Sequence, residues 1–258
     1  MRGKGIGKGL QRKLHEDLPN FSSVWYSRTN GRIKRSCGAN KFLYAHFNYY
    51  PVGAYLSAFA EVFFKKFLKK KISVPTLFKD KYYYLNTLCV NRKRYVIKEI
   101  SLEEHLREVS SVAGHAIKDK DFYITRDINF FRWKYMENPS LTEYHVLAVY
   151  SSGGELLGIV LFSGVFQKTV LGVPRKVVTI LDCFPINDHI SMRTLLLMVM
   201  RYYKERSLQV DAILSLQDMG YLPCVRYSHK GVPLLTTCTE HVKDFYLSYS
   251  DQDMEQMI

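Results

Sequence analysis

Cysteine is scarce. Five occur in 258 residues, Cys37, Cys89, Cys183, Cys224 and Cys238, an odd number, widely scattered and without a Cys-x-x-Cys pair. That spacing argues against a disulfide framework and against a zinc knuckle, so no metal is expected. Reduced thiols fit a cytoplasmic protein. No apolar run reaches the roughly 18–20 residues that cross a bilayer. The basic N-terminus is not followed by the apolar stretch of a leader peptide. No low-complexity tract interrupts the chain, and no RNA-binding or helix-turn-helix signature is present, so specific nucleic-acid recognition is not expected. Acidic residues are also few, 24 against 37 Lys and Arg, for a net charge of +13. The surplus favours an anionic partner such as a phosphorylated small molecule, a nucleic-acid backbone or an acidic membrane surface. The plain alternative is a solvated basic surface.

What is present is enough to bury a core. The hydrophobic fraction is 47%, and the length suits one large domain or two small ones. The first thirteen positions carry four glycines, Gly3, Gly5, Gly7 and Gly9, and five basic residues. GIGKGLQRKLHEDL reads as a glycine turn and then a helix, with Leu10, Leu14 and Leu18 on one face and Pro19 as its stop. FSSVWYSRT reads as a strand. Asn30-Gly31 is a turn, and RIKRSCGANKF reads as a short helix and turn. AYLSAFAEVFFKKFLKKK is an amphipathic helix with Tyr55, Phe59, Phe63 and Phe67 spaced by four. Its lysines sit at the negative C-terminal end. The sharper reading of that run is peripheral contact with an anionic membrane.

After Pro75 and a stretch of mixed character, a second unit begins. RYVIKEI alternates as a strand, and SLEEHLREVSSVAGHAI reads as a helix opened by a capping box, Ser101 with Glu104. DINFFRWKYMENP is a second helix. EYHVLAVYS and ELLGIVLFSGVF are strands joined at Ser152-Gly153-Gly154. Strand VPRKVVTILDCF, helix ISMRTLLLMVMRYYKERS and strand VDAILSLQ follow. MGYLPCVRYSHKG reads as helix and turn, and VPLLTTCT and DFYLSYS as closing strands. The order predicts an α/β (α+β) fold whose sheet is mostly antiparallel, with helices on its flanks and one crossover.

Arg2-Gly3-Lys4-Gly5-Ile6-Gly7 resembles the (Gln/Arg)-x-x-Gly-x-(Gly/Ala) phosphate loop of the GNAT (GCN5-related N-acetyltransferase) superfamily. Glycines there let backbone N–H groups approach a pyrophosphate, and the next helix points its positive end at the same charge. The family tends to continue, after its next strand, with Asn-x-x-Ala-x-x-x-Tyr-x-Lys-x-Gly-Phe. Asn30 and Phe42 match, whereas Ile33, Cys37, Ala39 and Lys41 replace the alanine, tyrosine, lysine and glycine. The tyrosine protonates the leaving CoA thiolate in many family members. Cys37 stands in its place, as a proton donor or as a plain buried cysteine.

Trp133, Tyr135, Pro139 and Tyr144, with Lys134 for an arginine, resemble the Trp-Arg-Tyr and Pro…Tyr patterns of tandem GNAT proteins linked to bacterial surface-polysaccharide assembly. Between VVTILDCF and SMRTLLLMVM lies PINDHI, which has no glycine and adds Asp188 where a pyrophosphate would sit. The resemblance therefore implies a partial GNAT-like domain over residues 1–75 that starts at its phosphate loop, a connector over 76–93, and a complete but degenerate copy over 94–258. Such a chain is an N-terminally shortened tandem with an open strand edge. The alternative is a basic, glycine-rich arm over residues 1–20.

The resemblance implies acetyl-CoA as donor substrate, held by Arg2, Gly3, Lys4, Gly5, Ile6, Gly7, Lys8 and Asn30, with an amine as acceptor. No general base stands out. His15, Glu16 and Asp17 read as a solvated helix end, and His145 as a surface position on a strand. His189, His229 and His241 are histidines for which a structural role is the default. Asp182 and Asp188 flank the phosphate-loop position, either as a solvated loop or as contacts to an acceptor's hydroxyl or amine. Three functions compete: a GNAT-type N-acyltransferase, a non-catalytic GNAT-like interaction module, and an electrostatic binder of nucleic acid or membrane. The oligomeric state is left open.

Overall fold

The computed structural model describes residues 13, 22–24, 41–51, 64, 67–69, 94–121, 123–138, 143–170, 173–186, 190–208, 210–216, 227–236, 246 and 248. In chain order these give strands β1 (Ser22–Val24), β2 (Lys41–Pro51) and β3 (Tyr95–Glu99), then helices α1 (Leu106–Ile117) and α2 (Ile128–Phe131). A π-helical turn over Arg132–Met136 extends α2. Strands β4 (Tyr144–Ser151), β5 (Leu156–Ser163), β6 (Phe166–Val170) and β7 (Val173–Pro185) follow, then α3 (Met192–Glu205), β8 (Ala212–Ser215) and β9 (Tyr227–Thr236).

Among the described residues these strands form one sheet, ordered β1-β9-β2-β8-β7-β5-β4-β3, with β6 paired to β7. Every pairing is antiparallel except β7–β8, which is parallel from Val177↔Ala212 to Thr179↔Leu214. A parallel pair needs a long crossover, and α3 supplies it. The fold is thus the expected mixed one, mostly antiparallel and flanked by helices.

The strands at its centre read as unbroken apolar runs because both faces are covered. Leu147, Val149, Val160, Phe162, Val178, Ile180 and Ile213 pack with the inward side of α3, including Leu195, Val199 and Tyr203. Val146, Ala148, Ile159, Leu161, Leu181, Phe184 and Leu214 pack with Val109, Ala113 and Ile117 of α1 and with Phe131 and Tyr135. Full burial of each Val, Leu, Ile or Phe among them stabilises by about 1.5–3 kcal/mol. Gly158 lets α3 lie close to β5, since a Cβ there would stand 3.0 Å from a Leu195 methyl and 3.0 Å from the Phe184 carbonyl oxygen. Gly154 closes the β4–β5 hairpin at φ +86°, a conformation that favours glycine.

Four expectations change. β2 occupies residues for which the sequence suggested only the end of a helix-and-turn at 41–42 and nothing beyond, and it lies between β8 and β9. Strands from the 1–75 stretch and from the 94–258 stretch therefore share one sheet. β9 begins at Tyr227, so part of the expected helix and turn is strand, held by its ladder to β2. The expected capping box is a turn ahead of the helix: Ser101 Oγ accepts from Glu104 N at 3.5 Å, but α1 starts only at Leu106. The helix expected from residue 54 falls outside the described residues apart from Phe64, Phe67, Leu68 and Lys69. Of DFYLSYS, Tyr246 and Ser248 are described, and neither is in a strand.

Candidate functional site

The single parallel pair shapes the first place of interest. β7 and β8 stay in register only through Thr179 and Leu214, while β7 continues to Pro185. On its other edge Leu161 pairs with Asp182 but Phe162 pairs with Ile180, which leaves Leu181 as an extra residue. Such a bulge bends the strand that carries it. β8 ends at Ser215 while β7 runs on to Pro185, and the crevice beyond the carboxyl ends of parallel strands is where open α/β sheets place ligands.

Asp182 stands at this bend. The sequence suggested a loop residue, and this is corrected: Asp182 is inside β7 and 0% exposed. A buried carboxylate must be bonded from several sides. Asp182 accepts from Arg126 Nε at 3.2 Å, Tyr135 Oη at 2.7 Å and Tyr246 Oη at 3.1 Å. Arg126 also donates to the Ile124 carbonyl at 2.8 Å and to Ser248 Oγ at 2.9 Å. Its guanidinium lies 4.3 Å from the Phe130 ring centroid. Local sequence positions these partners. Asp127 caps α2 by accepting from Phe130 N at 2.7 Å, and the π-helical turn buries Tyr135 while leaving Trp133 56% exposed.

The Tyr246 hydroxyl also takes the Cys183 N–H at 3.1 Å. Burial first, and the Asp182 charge second, push Tyr246 well above the ordinary phenol range. Burial likewise pushes the Cys183 thiol up, so this cysteine stays a neutral core residue rather than a nucleophile. At the start of α3, Ser191 Oγ accepts from Thr194 N at 3.2 Å. One of the helix's N-terminal donors is thus filled by the chain itself.

The second place is a cavity of about 550 Å³ where β3 ends, lined by residues that include Glu99, Ser101, Tyr135, Tyr144 and His145. His145, expected at the surface, is half-buried and fixed. Its Nδ1 lies 2.7 Å from Glu99 Oε1 and its Nε2 3.4 Å from Glu143 Oε1. Tyr202 Oη and Arg206 Nη2 each donate to Glu99 Oε2 at 3.0 Å. Burial pushes the Glu99 carboxyl up, but the bonds from His145 and Tyr202 and the charges of His145 and Arg206 outweigh it and hold the carboxyl below 4.5. Tyr202 is pushed up to about 12, by burial first and by its bond to Glu99 second. Carboxylates beside both ring nitrogens fix the orientation of the imidazole at the cavity. Tyr135 lines this cavity and bonds Asp182, so it touches both places.

Arg2, Gly3, Lys4, Gly5, Ile6, Gly7, Lys8, Asn30 and Cys37 lie outside the described residues, as do Asp188, His189 and His241. His229 is in β9 opposite Phe47. Sequence reasoning missed Arg126, Tyr246 and Ser248. The signal was one charge in the apolar run VVTILDCF, which calls for a buried partner. Among the described residues, no group of three or more metal-ligating side chains occurs, and no helix is long and apolar enough to cross a membrane.

No protein-family model and no curated protein matches the chain. Solved structures do. A conserved protein of unknown function from Enterococcus faecalis V583, described as a probable N-acyltransferase, is similar with 12% identity and a TM-score of 0.51. The match covers 92% of this chain and 51% of that one, so this chain spans about half its length. L-PGS from Bacillus licheniformis is similar at 13% identity and a TM-score of 0.38, over 93% of this chain and 76% of its own. A ribosomal-protein-alanine N-acetyltransferase from Brucella melitensis biovar Abortus 2308 matches at 16% identity and a TM-score of 0.30, over 45% of this chain and 76% of its own. Only the first of these three scores carries weight, and at 12% identity it speaks for the fold alone. The mostly antiparallel sheet, its one parallel pair and the helices on both faces give this chain a GNAT-like fold.

Proposed function

We propose that the chain is an acyl-CoA-dependent N-acyltransferase that moves an acetyl group from acetyl-CoA to an amine. The observation that carries this reading is the parallel β7–β8 pair, joined by α3 and in register through Thr179, in an otherwise antiparallel sheet. In the proposed reaction the acceptor nitrogen attacks the thioester carbonyl, the C–S bond breaks, the nitrogen gives up a proton and the thiolate takes one. The oxyanion that forms in between needs a backbone N–H aimed at it. The pyrophosphate falls to Arg2, Gly3, Lys4, Gly5, Ile6, Gly7 and Lys8, with Asn30 beside them, and Cys37 is the candidate proton donor to the thiolate. The acceptor class is an amine, with an amino sugar of a surface polysaccharide as the specific candidate, in the cytoplasm and without a metal. Residues 1–75 and 94–258 act as tandem units, with β2 of the first completing the sheet of the second.

Isothermal titration of the whole chain with acetyl-CoA tests the reading. Low-micromolar binding, about 8 kcal/mol, that is lost in Gly5→Asp and Gly7→Asp is expected. Binding untouched by those changes would remove the loop from the site. A second reading, a non-catalytic GNAT-like module, is favoured by two contacts: Tyr246 occupies the Cys183 N–H, and Ser191 caps α3. Turnover of acetyl-CoA with any amine acceptor would refute it.

A further inference from the structure

The cavity where β3 ends carries carboxylates in a chain that is otherwise strongly basic. We propose that it is a binding site for a small organic cation, a primary ammonium group on a short aromatic or apolar stem. This site is independent of acyl transfer, because the cavity lies away from the parallel pair. It adjoins Tyr144, which pairs with Ser163 at the opposite end of β5 from Gly158 and its partner Pro185. It also adjoins Glu99, which accepts from Tyr202 and Arg206 at the C-terminal end of α3.

Charge selects the ligand. The chain holds 37 Lys and Arg against 24 Asp and Glu, yet none of the residues lining this cavity is Lys or Arg, while Glu99 and Glu103 both line it. Glu143 stands close by, 3.4 Å from His145 Nε2. Facing these three carboxylates are Arg206, which bonds Glu99, and the His145 imidazole. Glu99 has both oxygens engaged, one with His145 and the other with Tyr202 and Arg206. Glu103 is different: it makes no hydrogen bond or ion pair among the described residues. Burial first, and the Glu103 charge second, push the Tyr144 phenol up, so that charge is felt inside the cavity. A carboxylate with open acceptor sites suits an ammonium group, which brings three donors and no acceptor.

Shape and wall chemistry select the stem. The volume of about 550 Å³ lies within the roughly 300–1,000 Å³ of small-molecule sites. Ile100, Met136 and Val146 give the cavity apolar wall, and the rings of Tyr135 and Tyr144, 5.3 Å apart between centroids, give it aromatic wall. Aromatic rings attract cations as well as apolar groups. The backbone is also irregular here. The π-helical turn over Arg132–Met136 supplies both Tyr135 and Met136 to the cavity, and single π turns recur at functional sites. Tyr135 is fixed in place, because its hydroxyl donates to Asp182 Oδ2 at 2.7 Å. The wall is therefore formed before a ligand arrives.

Isothermal titration of the full chain with phenethylamine tests the site, with phenethyl alcohol as the uncharged analogue of the same shape. Binding of the amine at least tenfold tighter than the alcohol is expected. Equal binding of the two, or no binding of the amine, would overturn the proposal. Glu103→Gln removes the open carboxylate, and Met136→Lys sets a cation of the protein's own at the cavity. Both positions are exposed, so both variants should fold. The first should weaken amine binding about fivefold and the second about tenfold or more. Unchanged affinity in both would overturn the proposal. Gly5→Asp with Gly7→Asp should leave phenethylamine binding as it was, and its loss there would move the amine to a site built with the N-terminal loop and overturn the cavity's role. Acetyl-CoA titration of the unaltered chain tests acyl transfer alone, so its failure would leave this site standing. Tighter binding by a lysine-containing tripeptide than by phenethylamine would give the cavity to a protein side chain and overturn the small-molecule assignment.

Discussion

Two carboxylates in this protein have nearly the same partners and opposite surroundings. Asp182 and Glu99 each accept from an arginine and a tyrosine. The Asp182–Arg126 pair has side chains 0% and 0% exposed, whereas Glu99 is 37% and its partner Arg206 42% exposed. Burial decides what each cluster can do. In the interior, water cannot replace a lost partner, so every bond to Asp182 is obligatory and the cluster is rigid. At Glu99 water and salt can substitute, so the bonds orient His145 without committing the fold to it. The first cluster is therefore suited to fix the end of β7, and the second to hold an imidazole beside an open cavity.

The contrast can be broken at its strongest point. Asp182→Asn leaves the Arg126 charge buried and unpaired, and should cost about 3–5 kcal/mol in chemical denaturation. Replacing Arg126 and Asp182 together by Met and Leu should recover most of that loss. If the single change cost less than the double, the cluster would not be a closed ion pair. Next in size, Tyr135→Phe removes the 2.7 Å donor to Asp182 Oδ2 and should cost about 1–3 kcal/mol. Its melting temperature is the readout.

The exposed cluster should yield smaller effects. Tyr202 keeps its proton until about pH 12. Its folded-state pKa is raised, so the stability it adds is complete below the ordinary phenol value of 10.0 and is lost as pH climbs toward 12. Phenolate absorbance should show one late-titrating tyrosine fewer in Tyr202→Phe. Smallest of all, Glu99→Gln should cost about 0–1 kcal/mol near neutral pH. Glu99 is held below 4.5, so its contribution is present above that value and fades as pH falls through the lowered one. Glu99→Gln should flatten the acid side of a stability–pH profile while Asp182→Asn lowers the whole curve. A shift of equal size from both would erase the distinction.

How far the sequence reached differs along the chain. α3 was legible from its apolar run, and the structure adds Ser191 as its cap, accepting from Thr194 N. The β4–β5 hairpin was legible from Gly153-Gly154 between two apolar runs. β2 was not legible although KFLYAHFNYY is rich in aromatic, strand-favouring residues closed by Pro51, because the strands that pair with it, β8 and β9, lie far along the chain. Asp182 was placed in a loop because a charge reads as exposed when its partners are invisible.

The amino-acid order alone therefore determined the local elements: period and caps act over three or four residues, and those are adjacent on the page. Tertiary structure decided the rest. It set β2 between β8 and β9, and it brought to Asp182 an arginine 56 residues away and a tyrosine 64 residues away. Strand neighbours and charge partners are chosen by what can be buried together, and that selection is made only when distant segments meet in a space without water.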